Sequence, residues 1–460
     1  MTTAEKLGCF IAENSWEQLA PHDIEKAKRF ILDILGCIIG ASQEERTKIL
    51  VDTIRQQGGS MHSSVLGHGF KTSAMNAAFL NAAMGHIYDF DDDHREAATH
   101  TTTVVLPVVL ALGEKNRSSG KEVLNAFMLG SEITTRLGKA FLGKTHYRGF
   151  HATATCGVFG AAAAAAAILK LNSRQAASAL GLAGGFSSGN IQWRTGDSWH
   201  KPVQPGHAAM CGVLAACLAE KDFIGPLTIF DGPDGFLETH CYQGIYDQNL
   251  ILNDIGKTWE MAKASIKLHA CCRWGASAID CALNLKKQGI VIEKIEDIRI
   301  KTYDIALEVL TKPEDRKLRP TTTMDAQFSL PYMVAVALTD GEAGVEQFRE
   351  KKLQEPVALD LIDKMRWEVS PDAEALYPEA YLAEMDITLS DGTIAKAKVR
   401  HPKGDPENPA SDNEIEQKFK SLTFNHLDVQ RQNAAINVVK KLETINDLGC
   451  LLDALMVMEQ

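Results

Sequence analysis

Apolar residues recur at three- and four-residue steps from Asp23 to Gly40, through Ile24, Ala27, Phe30, Ile31, Ile34, Leu35 and Ile38, which is the period of one helix face. The same spacing predicts helices over 121–139, after Ser118-Ser119-Gly120, over 174–182, and over 208–221, after Pro205-Gly206. From Gly157 to Leu171, with an unbroken run of alanines at 161–167, the chain is apolar on every side, so this helix is expected inside a bundle. Its small side chains let neighbouring helices approach closely, and that packing accounts for them without any chemistry.

After about Ile266 the period changes. Residues 294–303 interleave Ile295, Ile298 and Ile300 with charges, and 385–399 read as two strands around Asp391-Gly392, a strong hairpin signal. Helical patterns at 325–338 and 357–365 make this portion a small α+β lid domain, placed at 266–402. Residues 403–409, with Gly404, Pro406 and Pro409, have the composition of a linker. Amphipathic segments return at 414–422, 434–442 and 448–456. Short helices beyond a linker need a body to pack on, so 410–460 is expected to rejoin 1–265 in one discontinuous helical domain. The expected fold class is mainly α with an α+β second domain.

Composition narrows the classes of partner. The 460 residues are 45% hydrophobic and 23% charged, an ordinary globular profile. Lys plus Arg number 48 and Asp plus Glu 59, giving 48 − 59 = −11, a field that repels nucleic acid and anionic lipid. The longest apolar stretches, such as 104–112, fall short of the roughly 20 residues of a membrane span, and 1–10 lacks a basic region leading into an apolar run. A soluble cytoplasmic protein is expected. Most of the ten cysteines lie inside apolar helical patterns, so no disulfide framework is implied.

Four clusters could carry chemistry. The first runs from His86 through Asp89, Asp91, Asp92, Asp93 and His94 to His100 and the threonines 101–103. Carboxylates this close raise one another's pKa unless a donor, a cation or a metal offsets them. One reading is a divalent-metal site resembling those of metal-dependent hydrolases, which would need a second carboxylate motif; the chain has no second acid-rich repeat. The second cluster, His146-Tyr147-Arg148-Gly149-Phe150-His151, precedes the alanine-rich helix, where N–H groups and the helix dipole favour an anion. The third is a basic turn, 199–207, with Lys201 before a proline. The fourth, Lys267, His269, Cys271, Cys272 and Arg273, supplies cationic groups at the proposed domain boundary. Tyr332, beside Pro331, offers a phenol from the lid.

Taken in order, Asp89-Phe-Asp-Asp92, Thr99-His100, Phe150-His151, Lys201-Pro with Gly206-x-Ala-Ala, Lys267 through Cys272-Arg273, and Phe328-Ser-x-Pro-Tyr332 resemble the MmgE/PrpD family over nearly the whole chain. Its members include 2-methylcitrate dehydratase, cis-aconitate decarboxylase and iminodisuccinate epimerase. The resemblance implies a helical domain built from both chain ends, a smaller α+β lid, a homodimer, and chemistry on a small polycarboxylate with no cofactor and no metal. It carries a candidate site to Asp89, His100, His151 and Tyr332 as catalytic groups, and to Lys201 and Lys267 as substrate contacts. Arg148, His269 and Arg273 are further candidate contacts. The chain departs from the decarboxylase pattern at Asp93, Thr101-Thr102 and Cys272, positions that touch substrate contacts. Dehydration, decarboxylation and epimerisation all remain open from the sequence.

Overall fold

A computed structural model describes residues 1–195 and 198–456. The chain divides into two compact units, one formed by 1–87, 91–264 and the described residues from Ser411 on, the other by 88–90 and 265–410.

The first unit is helical. Its centre is the helix Ala152–Ile168, in which every residue but Ala167 is buried. The alanine run allows this because two glycines remove the last obstruction: a Cβ on Gly160 would collide with Thr134 Oγ1 and Gly130 O of the helix Gly120–Ala140. On another side, a Cβ on Gly212 of the helix Val203–Glu220 would collide with Ala161. Helix Pro21–Gly40 presents the apolar stripe read from its sequence and buries Ile24, Phe30, Ile31, Ile34, Leu35 and Ile38. Helix Asp412–Thr423 packs on it. Phe419 lies at Gly36, and Lys418 Nζ pairs with Asp33 at 2.6 Å, both side chains buried. Lys28 on the same helix pairs with Glu443 at 2.7 Å. Among the described residues no helix is long and apolar enough to cross a membrane.

The second unit carries a four-stranded sheet in the order Met365–Val369, Ile295–Thr302, Ala383–Leu389, Ile394–Val399. The first pair is parallel and the other two antiparallel. The Asp391-Gly392 turn sits where the hairpin pattern puts it, with Gly392 at φ 82°. Helix Ala276–Lys287 packs against Ala383–Leu389 and Ile394–Val399, and its other neighbour is the apolar helix Leu330–Asp340.

Three local readings change. The helical pattern at 325–338 is two helices, Thr323–Gln327 and Leu330–Asp340, because Ser329 caps a new start with Pro331 in its first turn. The pattern at 357–365 stops at Ile362, and Met365 opens an unforeseen strand. The stretch read as a linker, 403–409, is packed into the second unit. Gly404 O accepts from Ile266 N at 3.0 Å, and Asp405, 1% exposed, takes the Ser265 hydroxyl at 3.1 Å and the Arg273 guanidinium.

Candidate active site

Within the first unit the acid-rich loop and two helix starts bring three imidazoles together. His86 ends helix Ala74–Gly85, His100 immediately precedes the N-cap of helix Thr102–Asn116, and His151 is the N-cap of Ala152–Ile168. The His86 ring lies 4.7 Å from that of His100, edge-on, and 5.8 Å from that of His151, stacked. Asp91, fully buried, accepts from His86 Nδ1 at 2.8 Å and lies 3.5 Å from His100 Nδ1.

The tautomer of His151 follows from its partners. Gln204 Nε2 donates to Asn190 O at 2.8 Å, so the amide must present Oε1 to His151, and His151 Nδ1–H donates to it at 2.8 Å. In the neutral ring the lone pair is then on Nε2. Gly189 makes room for this: its φ is 132°, and a Cβ there would sit 3.0 Å from Gln204 Oε1. Trp193 meets the His151 ring edge-on at 5.7 Å, and the Lys201 ammonium, 4% exposed, stands 5.2 Å over the Trp193 ring. A cation over an indole face is held there without being neutralised.

The crowding of carboxylates is resolved by hydrogen bonds. Asp92 accepts from Thr101 N at 3.2 Å, from Thr102 N at 3.0 Å and from the Thr102 hydroxyl, at the start of helix Thr102–Asn116. Thr101-Thr102, where the chain departs from the family pattern, are thus the donors that hold Asp92. Burial, and then the neighbouring Asp91, still push its carboxyl up to about 7. His94 donates from Nε2 to Glu260 O at 3.1 Å and accepts Ala97 N at Nδ1, and burial pushes it down to about 4, so it is neutral. Asp93 is half-buried, and Arg148 is exposed in the short turn Thr145–Arg148 rather than in the imidazole cluster.

In the second unit, Lys267 Nζ donates to both the carbonyl and Oδ1 of Asp89, 2.8 Å each, and Asp89 has a left-handed backbone, φ 50°. Lys267 lines a small cleft with His269, Cys272, Arg273, Lys403 and Asp405. Cys272 is half-buried, its N–H donating to Gln327 O at 2.9 Å. Burial holds the adjacent Cys271 thiol well above its usual range. Tyr332 is not in this cleft. It is fully buried on Leu330–Asp340, its hydroxyl donates to Gln347 O at 2.8 Å, and its ring packs near Phe348. Its hydroxyl is thus held by a main-chain carbonyl in the core of the second unit, apart from the residues that line the cleft.

The sequence reading gives no role to His86, Trp193 or Gln204, which come from three separate segments. His86 opens the acid-rich run and Gln204 lies within the basic turn 199–207, whereas Trp193 lies in none of the four clusters.

The MmgE/PrpD N-terminal domain matches residues 5–248 and the MmgE/PrpD C-terminal domain matches 269–444. A cis-aconitate decarboxylase-like protein of Aspergillus oryzae is 28% identical over 466 residues, covering 95% of this chain and 94% of its own. The human cis-aconitate decarboxylase is 28% identical over 442 residues, 93% of this chain and 89% of that one. That of Aspergillus terreus is 27% identical over 470 residues, 97% and 94% respectively. With both domains matched in order and these relatives aligned over nearly their full lengths, the chain belongs to the MmgE/PrpD family.

Proposed function

We propose that this protein is a lyase that acts on a small di- or tricarboxylate by moving a proton at a carbon next to a carboxylate. The observation that carries the reading is the assembly of His86, His100 and His151 about Asp91. Imidazole is the side chain suited to giving and taking protons near neutral pH, and such transfer typically contributes about 10² to 10⁴ in rate. Decarboxylation of a cis-aconitate-like acid is the first reading, because the relatives named above are cis-aconitate decarboxylases. Loss of CO₂ leaves an electron pair on carbon, conjugated with a remaining carboxylate, and an imidazolium protonates it. Dehydration of a 2-methylcitrate-like acid uses the same groups in the other sense: a neutral imidazole removes the α-proton and a second, protonated one assists the departing hydroxyl. His151 Nε2 is the base and His100 its partner, while Lys201 and Lys267 hold carboxylates as fixed charges. The relatives give no support to an epimerase, so racemisation is not carried forward.

The chemistry proposed needs no cofactor and no metal, and the assembly proposed is a homodimer. The departures at Asp93 and Cys272 make the identity of the acid the first thing to test. Incubating the protein with cis-aconitate, 2-methylcitrate, citrate and iminodisuccinate, with and without EDTA, and following products by NMR, is the direct test. Release of CO₂ or formation of an alkene, unchanged by EDTA, is expected. No turnover of any acid, or turnover abolished by EDTA and restored by a divalent ion, would overturn the reading and in the second case revive a metal site in the Asp89 to His94 run.

A further inference from the structure

The three imidazoles of the first unit are held by different groups. His86 Nδ1 lies 2.8 Å and His100 Nδ1 3.5 Å from the same oxygen of Asp91, a carboxylate. His151 has an amide instead. Gln204, buried in the first turn of helix Val203–Glu220, faces its Nδ1 with Oε1 at 2.8 Å, while Gln204 Nε2 donates to Asn190 O at 2.8 Å. The Asn190 carbonyl decides which end of the amide turns to the ring, because it needs a donor and Oε1 is not one. That carbonyl is itself fixed. His151 N donates to Gly189 O at 3.2 Å and Ile191 N to Gly149 O at 2.9 Å, so the residues on either side of Asn190 are tied to the segment that carries His151. Gln204 thus joins three pieces of chain, the helix it stands on, the 189–191 segment and the His151 ring, at one amide.

A neutral histidine side chain in water carries its proton preferentially on Nε2, and a hydrogen bond to the other nitrogen can reverse that preference. At His151 the reversal is built in. Only Nδ1–H can donate to Oε1; with the proton on Nε2, a buried lone pair would face a buried oxygen, and losing that hydrogen bond outweighs the small intrinsic preference. An amide does this without bringing a charge to the ring, whereas Asp91 brings one to the two rings it faces. We propose that Gln204 is a positioning residue that holds His151 in its less common tautomer, proton on Nδ1, so that Nε2 is the nitrogen that accepts the substrate's proton. This rests on the proposed proton-transfer chemistry and names the residue that aims its base. An imidazole turned or tautomerised the other way presents a donor where an acceptor is required, which costs rate without costing substrate affinity.

Nitrogen NMR of the full-length protein with ¹⁵N-labelled histidine rings, at pH 8 and with no substrate present, reads which nitrogen carries the proton; the His151 signals are those lost in His151→Gln. The parent is expected to show a protonated Nδ1 and an unprotonated Nε2. Gln204→Met keeps the bulk of the side chain but removes the acceptor, and is expected to move the proton wholly or partly to Nε2 and to lower kcat about tenfold or more, with KM within about twofold of the parent. Gln204→Glu keeps an oxygen facing Nδ1 whether or not its carboxyl is protonated, and is expected to retain the parental tautomer. A proton on Nε2 of the parent, the parental tautomer in Gln204→Met, or a parental kcat in that variant would each overturn the inference, and the parent spectrum alone decides the tautomer if the methionine variant does not fold. The spectra need no turnover, so the expected tautomers in a protein that converts none of the acids of the panel would overturn the lyase reading and leave the hold of Gln204 on the ring standing.

Discussion

The imidazole cluster of the first unit and the cleft of the second bury charge in opposite ways. In the first, three imidazoles and Asp91 lie within ring-contact and hydrogen-bond reach of one another, groups whose protons can be redistributed. In the second, the buried cations Lys267 and Arg273 are set against Asp89 and Asp405; Lys267 also donates to the Asp89 carbonyl, and Asp405 also accepts the Ser265 hydroxyl. A buried ion pair contributes little net stability but is costly to break, so it fixes geometry. The contrast separates proton transfer from fixed charge, and it can be broken or sharpened by substitution in each unit.

The largest effect is expected where proton transfer is proposed. His100→Gln, and Asp91→Asn, which weakens the hold on two imidazoles at once, should lower kcat by about 10² to 10⁴ while substrate still binds. Steady-state kinetics on the acid that the panel selects gives the split between kcat and KM. A variant that changed only KM would move the imidazole cluster to the side of fixed charge.

Next comes the second unit. Arg273→Met removes the guanidinium from the buried Asp405 carboxylate and should cost about 3–5 kcal/mol of stability in urea unfolding. The double substitution with Asp405→Leu should recover much of that loss, which a catalytic role for Arg273 does not predict for activity.

A smaller effect belongs to the first unit and depends on pH. Between about pH 4 and 7 folded Asp92 keeps a proton that the unfolded chain, with an ordinary value of 3.8, has released, so stability falls as pH rises through that range. Folded His94 is pushed to about 4 from 6.5, so between those values the unfolded chain binds the extra proton and stability falls as pH drops. The two slopes oppose each other. Urea midpoints at pH 4.5, 5.5 and 6.5 should rise with pH more steeply in Asp92→Asn than in the parent, and less steeply, or fall, in His94→Gln.

The smallest effect is expected at Trp193. Replacing the indole by leucine removes the face beneath Lys201 and should raise KM about two- to tenfold with kcat nearly unchanged.

Much of this arrangement is legible along the chain because periodicity reports burial directly. The stripe of Pro21–Gly40, the alanine helix and the Asp391-Gly392 hairpin each have a local cause. His100, His151, Lys201 and Lys267 were marked because they sit in dense polar runs, and the structure buries the last three and leaves His100 slightly exposed. What could not be read is pairing over distance. Nothing near Gln204 announces that it sets the tautomer of a histidine 53 residues away, and nothing near Asp405 announces Arg273. Proline and glycine at 402–409 mark a chain that leaves regular structure, and a packed loop does that as well as a linker. The surroundings of Tyr332 are equally illegible, because a phenol on an apolar helix reads alike whether its hydroxyl faces a ligand or Gln347 O.

The central claim is that His151 moves the proton while Lys201 anchors the acid. Solvent deuterium incorporation, followed by mass spectrometry at saturating substrate in D₂O, tests it most directly. His151→Ala is expected to retain binding and to lose exchange by at least about a hundredfold, whereas Lys201→Ala should exchange normally once substrate is raised high enough to bind. Exchange abolished in Lys201→Ala at saturation and preserved in His151→Ala would contradict the account and exchange the roles of base and anchor.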